Sequence, residues 1–182
     1  MKVFSNITLG FCLIYYYGFL QYLPGSYFPL LGNISRKFRA AILRIFFPQN
    51  YGKHVNIGRK VYLGKFKCLK IGKNSGLGDF FEIRAANVEI GNNFMSGEHV
   101  LILGSTHKHD RIDIPIGEQG DLPKPNLKIE DDVWIGRGVT IIPKNYSIGK
   151  GAIIGACAVV AKEIPPYAIA VGNPAKIIGY RK

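Results

Sequence analysis

Residues 129–160, IEDDVWIGRGVTIIPKNYSIGKGAIIGACAVV, contain the pattern that decides the fold. An aliphatic residue returns there every six positions, with a single step of seven, at Ile129, Ile135, Ile141, Ile148, Ile154 and Val160. An earlier run repeats the pattern with similar steps at Ile57, Leu63, Ile71, Leu77, Ile83, Ile90, Ser96 and Ile102, and glycine often follows the repeated residue. This period matches neither the roughly 3.6 residues of a helix nor the roughly 2 of an isolated strand.

A period of six predicts a three-sided β-solenoid. Short strands form the flat sides, the aliphatic residue points inward, and glycine or asparagine occupies the tight corners, where a positive φ is least costly. Three sides make a coil of about 18 residues, and successive coils stack as parallel strands ~4.8 Å apart. The two runs together predict about four to five coils. The alternative is a β-sandwich with Gly-rich turns, but sandwich strands alternate and their turns come roughly every 8–12 residues.

A second inward position often lies four residues after the first. It is small or aliphatic, at Val61, Ser75, Val100, Val133, Val139, Ala152 and Ala158. Between Leu103 and Leu127 the period disappears, and a polar, proline-containing segment takes its place. We call residues 104–127 the excursion. Loops of this length inside a compact domain usually have a function, so we expect functional residues there.

The composition limits the classes of protein to consider. Hydrophobic residues make up 47% and charged residues 20% of the 182 residues, which excludes a wholly disordered chain and a second full-size domain. Lys and Arg number 24 against 12 Asp and Glu, and no acidic residue occurs before Asp79. The excess positive charge is therefore N-terminal, and it would attract nucleic acid or an anionic membrane.

The N-terminal segment, residues 1–50, favours the membrane over nucleic acid. No charged residue occurs between Val3 and Ser35, and Ile7–Leu23 is almost continuously apolar, rich in Tyr, and followed by Pro24-Gly25. Such a run either spans a bilayer or lies in its plane, while the alternative is that it covers the core of an oligomer. If it spans, the basic residues that follow mark the cytoplasmic side.

Residues 34–46 have helical spacing. Their apolar positions are Ile34, Phe38, Ala41, Ile42, Ile45 and Phe46, with Arg36, Lys37, Arg39 and Arg44 mostly on other faces. With Ser35 as N-cap and Pro48 as terminator, the pattern predicts a basic amphipathic helix lying on a surface. Cys12, Cys68 and Cys157 are odd in number and widely spaced, which indicates small buried residues in a reducing compartment rather than a zinc or redox pair.

Three motifs on this repeat carry a resemblance to a known family. They are Ser105-Thr106-His107, the run 131–136 (DDVWIG), and the run 172–176 (GNPAK). From Tyr51 to Ile178 the chain resembles the left-handed β-helix hexapeptide-repeat acyltransferases. It is most similar to the branch that O-acetylates sugars in bacterial capsule, O-antigen and exopolysaccharide synthesis, which is related to the maltose, galactoside and serine acetyltransferases.

The resemblance implies a set of properties for the whole chain. It implies acetyl-CoA as co-substrate, no metal, a homotrimer with the site between two subunits, and a sugar or lipid-linked oligosaccharide as acceptor. It also implies a solenoid domain over 51–164 and a C-terminal tail over 165–182 that contributes to coenzyme A binding. With the N-terminal segment, it predicts a protein at the inner face of the plasma membrane, attached peripherally or integrally, and not a nucleic-acid binder.

Acetyl transfer to a hydroxyl needs a base, and a histidine can accept the proton at neutral pH. The resemblance selects His107 over His109, because the family's base follows a Ser/Thr pair at the mouth of the loop. His54 and His99 are interpreted as ordinary surface or core residues. By alignment with the family, the backbone N–H of Arg137 would meet the oxyanion. Asp110 would orient His107 or cap the loop.

Substrate contacts are also implied by the resemblance. Asp79 would take part in catalysis and contact the acceptor sugar, or else hydrogen-bond its own turn. Glu118 and Gln119 would line the acceptor groove. Trp134 would lie against the pantetheine, the acetyl group and the acceptor, or else serve plain packing.

The coenzyme contacts would come from the last coils and the tail. Lys162, Lys176 and Arg181 would bind phosphates, Ala156 and Ala175 would allow close backbone approach, and Arg137 would lie beside the thioester. The chain departs from the family's usual residues at Lys144-Asn145, Cys157-Ala158 and Ala161.

Two other functions remain open at this point. One is an acyltransferase for a soluble acceptor, such as an amino-sugar nucleotide or serine, which would need no membrane segment. The other is a non-catalytic scaffold or a metal-dependent hydratase. A zinc hydratase needs three histidines at set spacing, which His99, His107 and His109 do not supply.

Overall fold

The computed structural model describes residues 2–104 and 107–182, with side chains from Gly10 onward. Two helices, α1 (Lys2–Gly18) and α2 (Leu31–Phe46), precede the strands, and short 3₁₀ turns lie at Leu20–Tyr22, Phe66–Cys68 and Ile116–Glu118. The strands are β1 (Asn56–Ile57), β2 (Leu69–Ile71), β3 (Gly76–Leu77), β4 (Glu82–Arg84), β5 (Asn87–Ile90), β6 (Met95–Ser96), β7 (Leu101–Leu103), β8 (Asn126–Ile129), β9 (Trp134–Ile135), β10 (Thr140–Ile141), β11 (Tyr146–Ile148), β12 (Ile153–Ile154), β13 (Val159–Val160), β14 (Ala168–Val171) and β15 (Lys176–Tyr180).

The strands form three sheets, one for each side of a solenoid. Their orders are β1-β3-β6-β9-β12-β14-β15, β4-β7-β10-β13 and β2-β5-β8-β11, and all pairs are parallel except β14 with β15. Leu69 pairs with Val88, 19 residues later, so one coil is a residue longer than the period alone predicts. Val88 then pairs with Leu127 on the far side of the excursion, so the coils stack without a gap. The predicted parallel β-solenoid is confirmed.

The core lies inside the coils, and the repeated positions supply it. The aliphatic members of both runs are at most 3% exposed, and the second inward positions, including Ser75, are buried as well. Each short strand could not bury its inner face alone, so stability comes from contact between neighbouring coils. The core continues from Cys12 in α1 to Ala175 near the end of the chain.

The corners differ from the prediction in one respect. Apart from Gly64, the glycines that follow the aliphatic residues do not provide the positive φ, which instead lies two residues later, for example at Asn74 and Asn93 but also at Phe80 and His99. These glycines are needed for close stacking. A Cβ added at Gly58 would lie 2.5 Å from the amide nitrogen of Asp79 in the next coil. Asn145 has the left-handed conformation expected for a corner.

Helix α1 covers the first coil with one face. Cys12, Tyr16 and Leu20 are buried, and the Tyr16 hydroxyl donates a hydrogen bond to the Val61 carbonyl oxygen at 3.4 Å. This packing agrees with the alternative that the apolar run covers a core, although the core belongs to the same chain. Among residues 2–104 and 107–182, no helix combines the length and the apolar character that crossing a bilayer requires.

Helix α2 packs on the rest of the chain with a face that the apolar spacing did not mark. Its buried face contains Ser35, Arg39, Ala40 and Leu43, whereas Ile34, on the predicted apolar face, is exposed. Ser35 is not the N-cap, because the helix begins at Leu31. The helix ends just before Pro48, as predicted. The predicted surface residue Arg39 is wholly buried because it donates hydrogen bonds to the carbonyl oxygens of Leu20, Leu23, Pro24 and Ile57.

The C-terminal tail closes the other end. Strand β15 turns back antiparallel on β14 through a hairpin that contains the cis Asn173-Pro174 bond. Cys157, predicted to be buried, is exposed because it occupies a positive-φ corner of the last coils. Cys12 is buried as predicted, and burial raises the pKa of its thiol to about 11.

Candidate active site

The excursion places His107 against a carboxylate. The Nδ1 atom of His107 lies 3.1 Å from Oδ1 of Asp121, and the two residues form an isolated antiparallel bridge where the outgoing and returning limbs meet. The side chains are 59% and 77% exposed in the single chain. A carboxylate at Nδ1 favours the tautomer in which Nε2 keeps its lone pair, so this imidazole is arranged to act as a base. Ser105 and Thr106 of the same motif lie outside the described residues.

The partner of His107 is therefore Asp121 and not Asp110, the residue that we predicted to orient it. Asp110 is exposed on the outgoing limb, where it follows His109. The Nδ1 atom of His109 lies 3.2 Å from the carbonyl oxygen of His107. Residue 121 is on the returning limb, far from His107 in sequence. The sequence feature that precedes it is Gly120, which has a positive φ in the structure and so permits a turn at this point.

The excursion is held in shape by Gln119. Its side-chain oxygen accepts the Arg111 amide N–H at 3.1 Å, and its Nε2 donates to the carbonyl oxygens of Arg111 at 2.7 Å and Ile114 at 3.1 Å. These bonds occupy the amide that we predicted to contact the acceptor, so Gln119 acts in loop structure. Glu118 ends the 3₁₀ turn and is exposed, which leaves its predicted role in the acceptor groove untested.

The second predicted catalytic element is the backbone of Arg137. In the described part of the chain, its amide N–H has no acceptor. Its guanidinium Nε lies 3.6 Å from Oε2 of Glu98 in the preceding coil. Trp134 points outward from β9, where Met95 and Ile153 are its neighbours in the sheet, and it is 50% exposed. A half-exposed tryptophan can contact a ligand, whereas plain core packing would bury it.

Asp79 has a different position from the one predicted. It is only 4% exposed, and its carboxylate accepts hydrogen bonds from the Ser26 amide at 3.0 Å, the Ser26 hydroxyl at 2.6 Å and the Arg59 amide at 2.9 Å. Burial alone would raise the pKa of Asp79, but the hydrogen bonds from Ser26 and Arg59 outweigh it and lower the pKa. Asp79 therefore joins the α1–α2 linker to the solenoid, which argues against the catalytic and acceptor-binding roles.

The predicted coenzyme residues lie on the last two coils and the tail. Ala156 is stacked directly beyond Gly136, and the Ala175 amide donates to the Val159 carbonyl oxygen at 2.8 Å, which brings the tail motif onto the same coils. Lys162 and Lys176 are exposed. Arg181 is already engaged, because its Nη1 donates to Oδ2 of Asp132 at 2.9 Å and to the Gly151 carbonyl oxygen at 3.0 Å. This ion pair attaches the tail to the coil that contains Asp132. The Arg181 guanidinium is therefore not free to bind a phosphate.

Three cavities of the single chain lie away from these residues. Two, of about 580 and 650 Å³, follow the outer face of β2, β5 and β8, and a third of about 420 Å³ lies between α2 and the first coil. These cavities are lined by residues other than His107, Trp134 and the tail lysines. Across the described ranges, no group of three His, Cys, Asp or Glu side chains could hold a metal ion.

Comparison with known sequences gives relatives that are named as acetyltransferases. No family model matches the sequence. A Schizosaccharomyces pombe protein named as an acetyltransferase is 39% identical over 129 residues, which are 71% of this chain and 54% of that protein. The chain spans about half the length of the curated relatives it matches.

Solved structures align over almost the whole chain. A maltose O-acetyltransferase from Clostridium difficile is 28% identical and aligns over 98% of this chain and 89% of its own with a TM-score of 0.66. A hexapeptide-repeat-containing acetyltransferase from Vibrio cholerae is 22% identical and aligns over 98% and 93% with a TM-score of 0.70. A second structure of the Vibrio protein contains acetyl coenzyme A. The fold that they share with this chain is the left-handed β-helix.

Proposed function

We propose that this member of the hexapeptide-repeat acetyltransferases transfers the acetyl group of acetyl-CoA to a sugar hydroxyl in bacterial surface-polysaccharide synthesis. The observation that carries the proposal is the contact of His107 Nδ1 with Asp121, 3.1 Å long, at the mouth of the excursion. A sugar acceptor is supported by the likeness to a maltose O-acetyltransferase. Acetyl-CoA is supported by the Vibrio structure that contains it.

His107 acts as the general base. With the proton of Nδ1 directed at Asp121, Nε2 takes the proton of the attacking hydroxyl, and the imidazolium that forms is stabilised by the Asp121 carboxylate. His107 then returns that proton to the departing sulfur. No covalent intermediate with the protein is needed, so no nucleophilic side chain is required.

The amide of Arg137 acts at the other side of the reacting carbonyl. Acetyl-CoA supplies a thioester whose carbonyl oxygen gains negative charge as the hydroxyl adds. A backbone N–H without an acceptor in the described chain can donate to that oxygen without first breaking another hydrogen bond. Trp134 would contact the acetyl end of the coenzyme, and the exposed Lys162 and Lys176 would meet its phosphates.

A homotrimer is part of this proposal. The three cavities described above are lined by residues other than the catalytic and coenzyme residues. His107 and Asp121 are both largely exposed in the single chain. A neighbouring subunit would cover them and complete the cleft. A general base is more effective where water is excluded.

The test compares two neighbouring histidines. Binding of acetyl-CoA is measured by calorimetry, and thiol release is measured with a panel of sugar acceptors, for the wild type, His107→Ala and His109→Ala. We expect all three proteins to bind acetyl-CoA. Turnover should fall by about 10²–10⁴ in His107→Ala alone. Unchanged turnover in His107→Ala would overturn its role as base, and absence of acetyl-CoA binding in the folded wild type would overturn the transferase itself.

Attachment to the inner face of the plasma membrane is the second part of the proposal. Phe11 and Ile14 on α1 and Ile45 on α2 are largely exposed, and Lys37 and Arg44 are exposed on the same helix as Ile45. Apolar side chains with nearby cations suit an anionic bilayer surface, with the helices lying on it. A lipid-linked acceptor would be presented at that surface.

Substitution of exposed residues tests this attachment better than truncation, because removal of α1 would uncover the buried Tyr16. Co-sedimentation with phosphatidylglycerol vesicles should be lost in Phe11→Ser/Ile14→Ser. It should persist in Ile112→Ser, which changes a fully exposed residue of the excursion. Equal binding of the two variants would refute the attachment. Loss of trimer formation in the double variant would identify the surface as a subunit contact instead.

A further inference from the structure

Three corner amides of the solenoid are capped by a side chain of the next coil. The Arg59 N–H donates to Oδ1 of Asp79 at 2.9 Å, the Lys73 N–H to Oδ1 of Asn92 at 3.0 Å, and the Asn92 N–H to Oδ1 of Asp131 at 2.6 Å. In each case the acceptor is the side chain at the equivalent corner of the next coil. An Asp or Asn there folds back over the preceding glycine and caps the amide.

The glycine that precedes each capped amide has no Cβ, and this leaves room for the side-chain oxygen that caps the amide. A Cβ added at Gly58 would lie 2.6 Å from Oδ1 of Asp79, and one added at Gly72 would lie 2.7 Å from Oδ1 of Asn92. The space over the glycine is therefore occupied by the capping oxygen. Buried or half-buried amides are nearly always paired in this way, since an unpaired one is costly.

The corner at Arg137 has the same stacking but no capping oxygen, and among the described residues the corner amides of Asp79 and Glu98 have no acceptor either. Arg137 differs from them in the residue stacked on it, which has no polar side chain. A Cβ added at Gly136 would lie 2.6 Å from the amide nitrogen of Ala156 and 2.9 Å from its Cα. Ala156 therefore occupies the same position relative to the Arg137 amide that Asp79 occupies relative to the Arg59 amide. A methyl group cannot accept a hydrogen bond, and within the described ranges the Arg137 amide has no other acceptor.

Side chains of the preceding coil do not cap it either. The carboxylate of Glu98 is directed at the guanidinium of Arg137, with Nε and Oε2 3.6 Å apart, and not at the backbone. Ala156 is exposed and has a negative φ, so larger side chains fit there without backbone strain. The presence of Asp79 at the equivalent corner of an earlier coil shows that an aspartate is compatible with this position.

We propose that Ala156 is a positioning residue, whose lack of a side-chain acceptor keeps the Arg137 N–H available to the oxyanion of the reaction. The inference rests on the proposed acetyl transfer and adds a rule for residue 156. An acceptor of Asp or Asn length would capture the amide, and a residue of the same size without oxygen would not. A captured amide must break a hydrogen bond before it can stabilise the reacting oxygen.

The experiment compares Ala156→Asp and Ala156→Asn with Ala156→Leu, which adds similar bulk but no acceptor. We expect Asp and Asn to lower kcat by about 10²–10³, the usual cost of losing one oxyanion donor. Because Ala156 is also a predicted coenzyme contact, the leucine variant is the reference for the effect of bulk, and kcat in the Asp and Asn variants should lie about 10²–10³ below that of the Leu variant. Any weakening of acetyl-CoA binding through bulk should be similar in all three variants, and calorimetry measures it separately.

A second readout does not depend on activity. Hydrogen exchange of the Arg137 amide, followed by NMR on ¹⁵N-labelled protein, should slow in the Asp and Asn variants and not in the Leu variant. Slowed exchange with unchanged kcat would overturn the role of Ala156 while leaving the transferase intact. Unchanged exchange in Asp and Asn would overturn the capping rule. A wild type without turnover would refute the proposed function, although the exchange result would still decide the geometry.

Discussion

Each end of the solenoid is closed by a segment that an arginine bonds to the coils. One of the two arginines is buried and the other is exposed to water. At the N-terminal end, Arg39 is 0% exposed and donates to four carbonyl oxygens. At the C-terminal end, Arg181 is exposed and pairs with the exposed Asp132 at 2.9 Å. The number of hydrogen bonds and the access of water both differ between the ends.

This difference predicts which end contributes more to the free energy of unfolding. A buried guanidinium loses its hydration, and burial accordingly lowers the pKa of Arg39. The carbonyl oxygens that it bonds are also shielded from water, so they would be left unsatisfied without it. An exposed pair such as Arg181–Asp132 competes with water and contributes little. We therefore expect the helical end to be strongly coupled to the fold and the hairpin end weakly.

The largest effect should follow from Arg39→Met. The thioether fills much of the space but cannot donate, so the carbonyl oxygens of the α1–α2 linker lose their partner. We expect the free energy of unfolding to fall by about 3 kcal/mol or more, at about 1–3 kcal/mol for each unsatisfied group. Urea denaturation measures this change. Arg44→Met on the exposed face of the same helix is the control and should stay within about 0.5 kcal/mol. Equal effects of the two would remove the distinction between the ends.

A smaller effect should come from Asp79, which holds Ser26 of the same linker. Since the pKa of Asp79 is lower in the folded state than in the unfolded state, its stabilisation is complete above the unfolded pKa, about 3.9. It is lost as the pH falls through the folded pKa. We expect Asp79→Asn to cost about 1–2 kcal/mol at pH 7, with the difference from wild type shrinking below pH ~4.

Thermal unfolding from pH 7 to pH 3 measures this dependence on charge. Asp110→Asn, in the exposed excursion, is the matched control and should unfold as the wild type does throughout. A constant difference between Asp79→Asn and wild type over the whole range would mean that the carboxylate charge of Asp79 does not stabilise the linker.

The repeat could be predicted from sequence because its physics is local and periodic. The position of Ile135 recurs in each coil and points inward each time. The period therefore specifies the burial of Ile135 without knowledge of the rest of the chain. The helical end could not be predicted in this way. The spacing of Ile34 and Phe38 indicated the apolar side of α2, but the side that packs is set by the hydrogen bonds of Arg39 to carbonyl oxygens distant in sequence.

The site shows the same division. The motif selected His107, but its partner Asp121 follows from how the excursion folds back on itself, which no period describes. Asp79 was assigned to the acceptor from the resemblance to the family. Its actual partner, Ser26, lies 53 residues away in a linker whose position only the packed helices determine.

The smallest effect should be that of Arg181→Ala at the hairpin end. The exposed ion pair with Asp132 should be worth at most about 1 kcal/mol in unfolding free energy. Because this guanidinium already bonds Asp132 and Gly151, the Kd for acetyl-CoA should change less than about threefold, whereas Lys176→Ala should weaken binding about tenfold, or about 1.4 kcal/mol. Calorimetry on both variants measures this. A tenfold weaker Kd in Arg181→Ala would mean that the coenzyme displaces Asp132, and the hairpin would then be fastened by its ligand and not by its own ion pair.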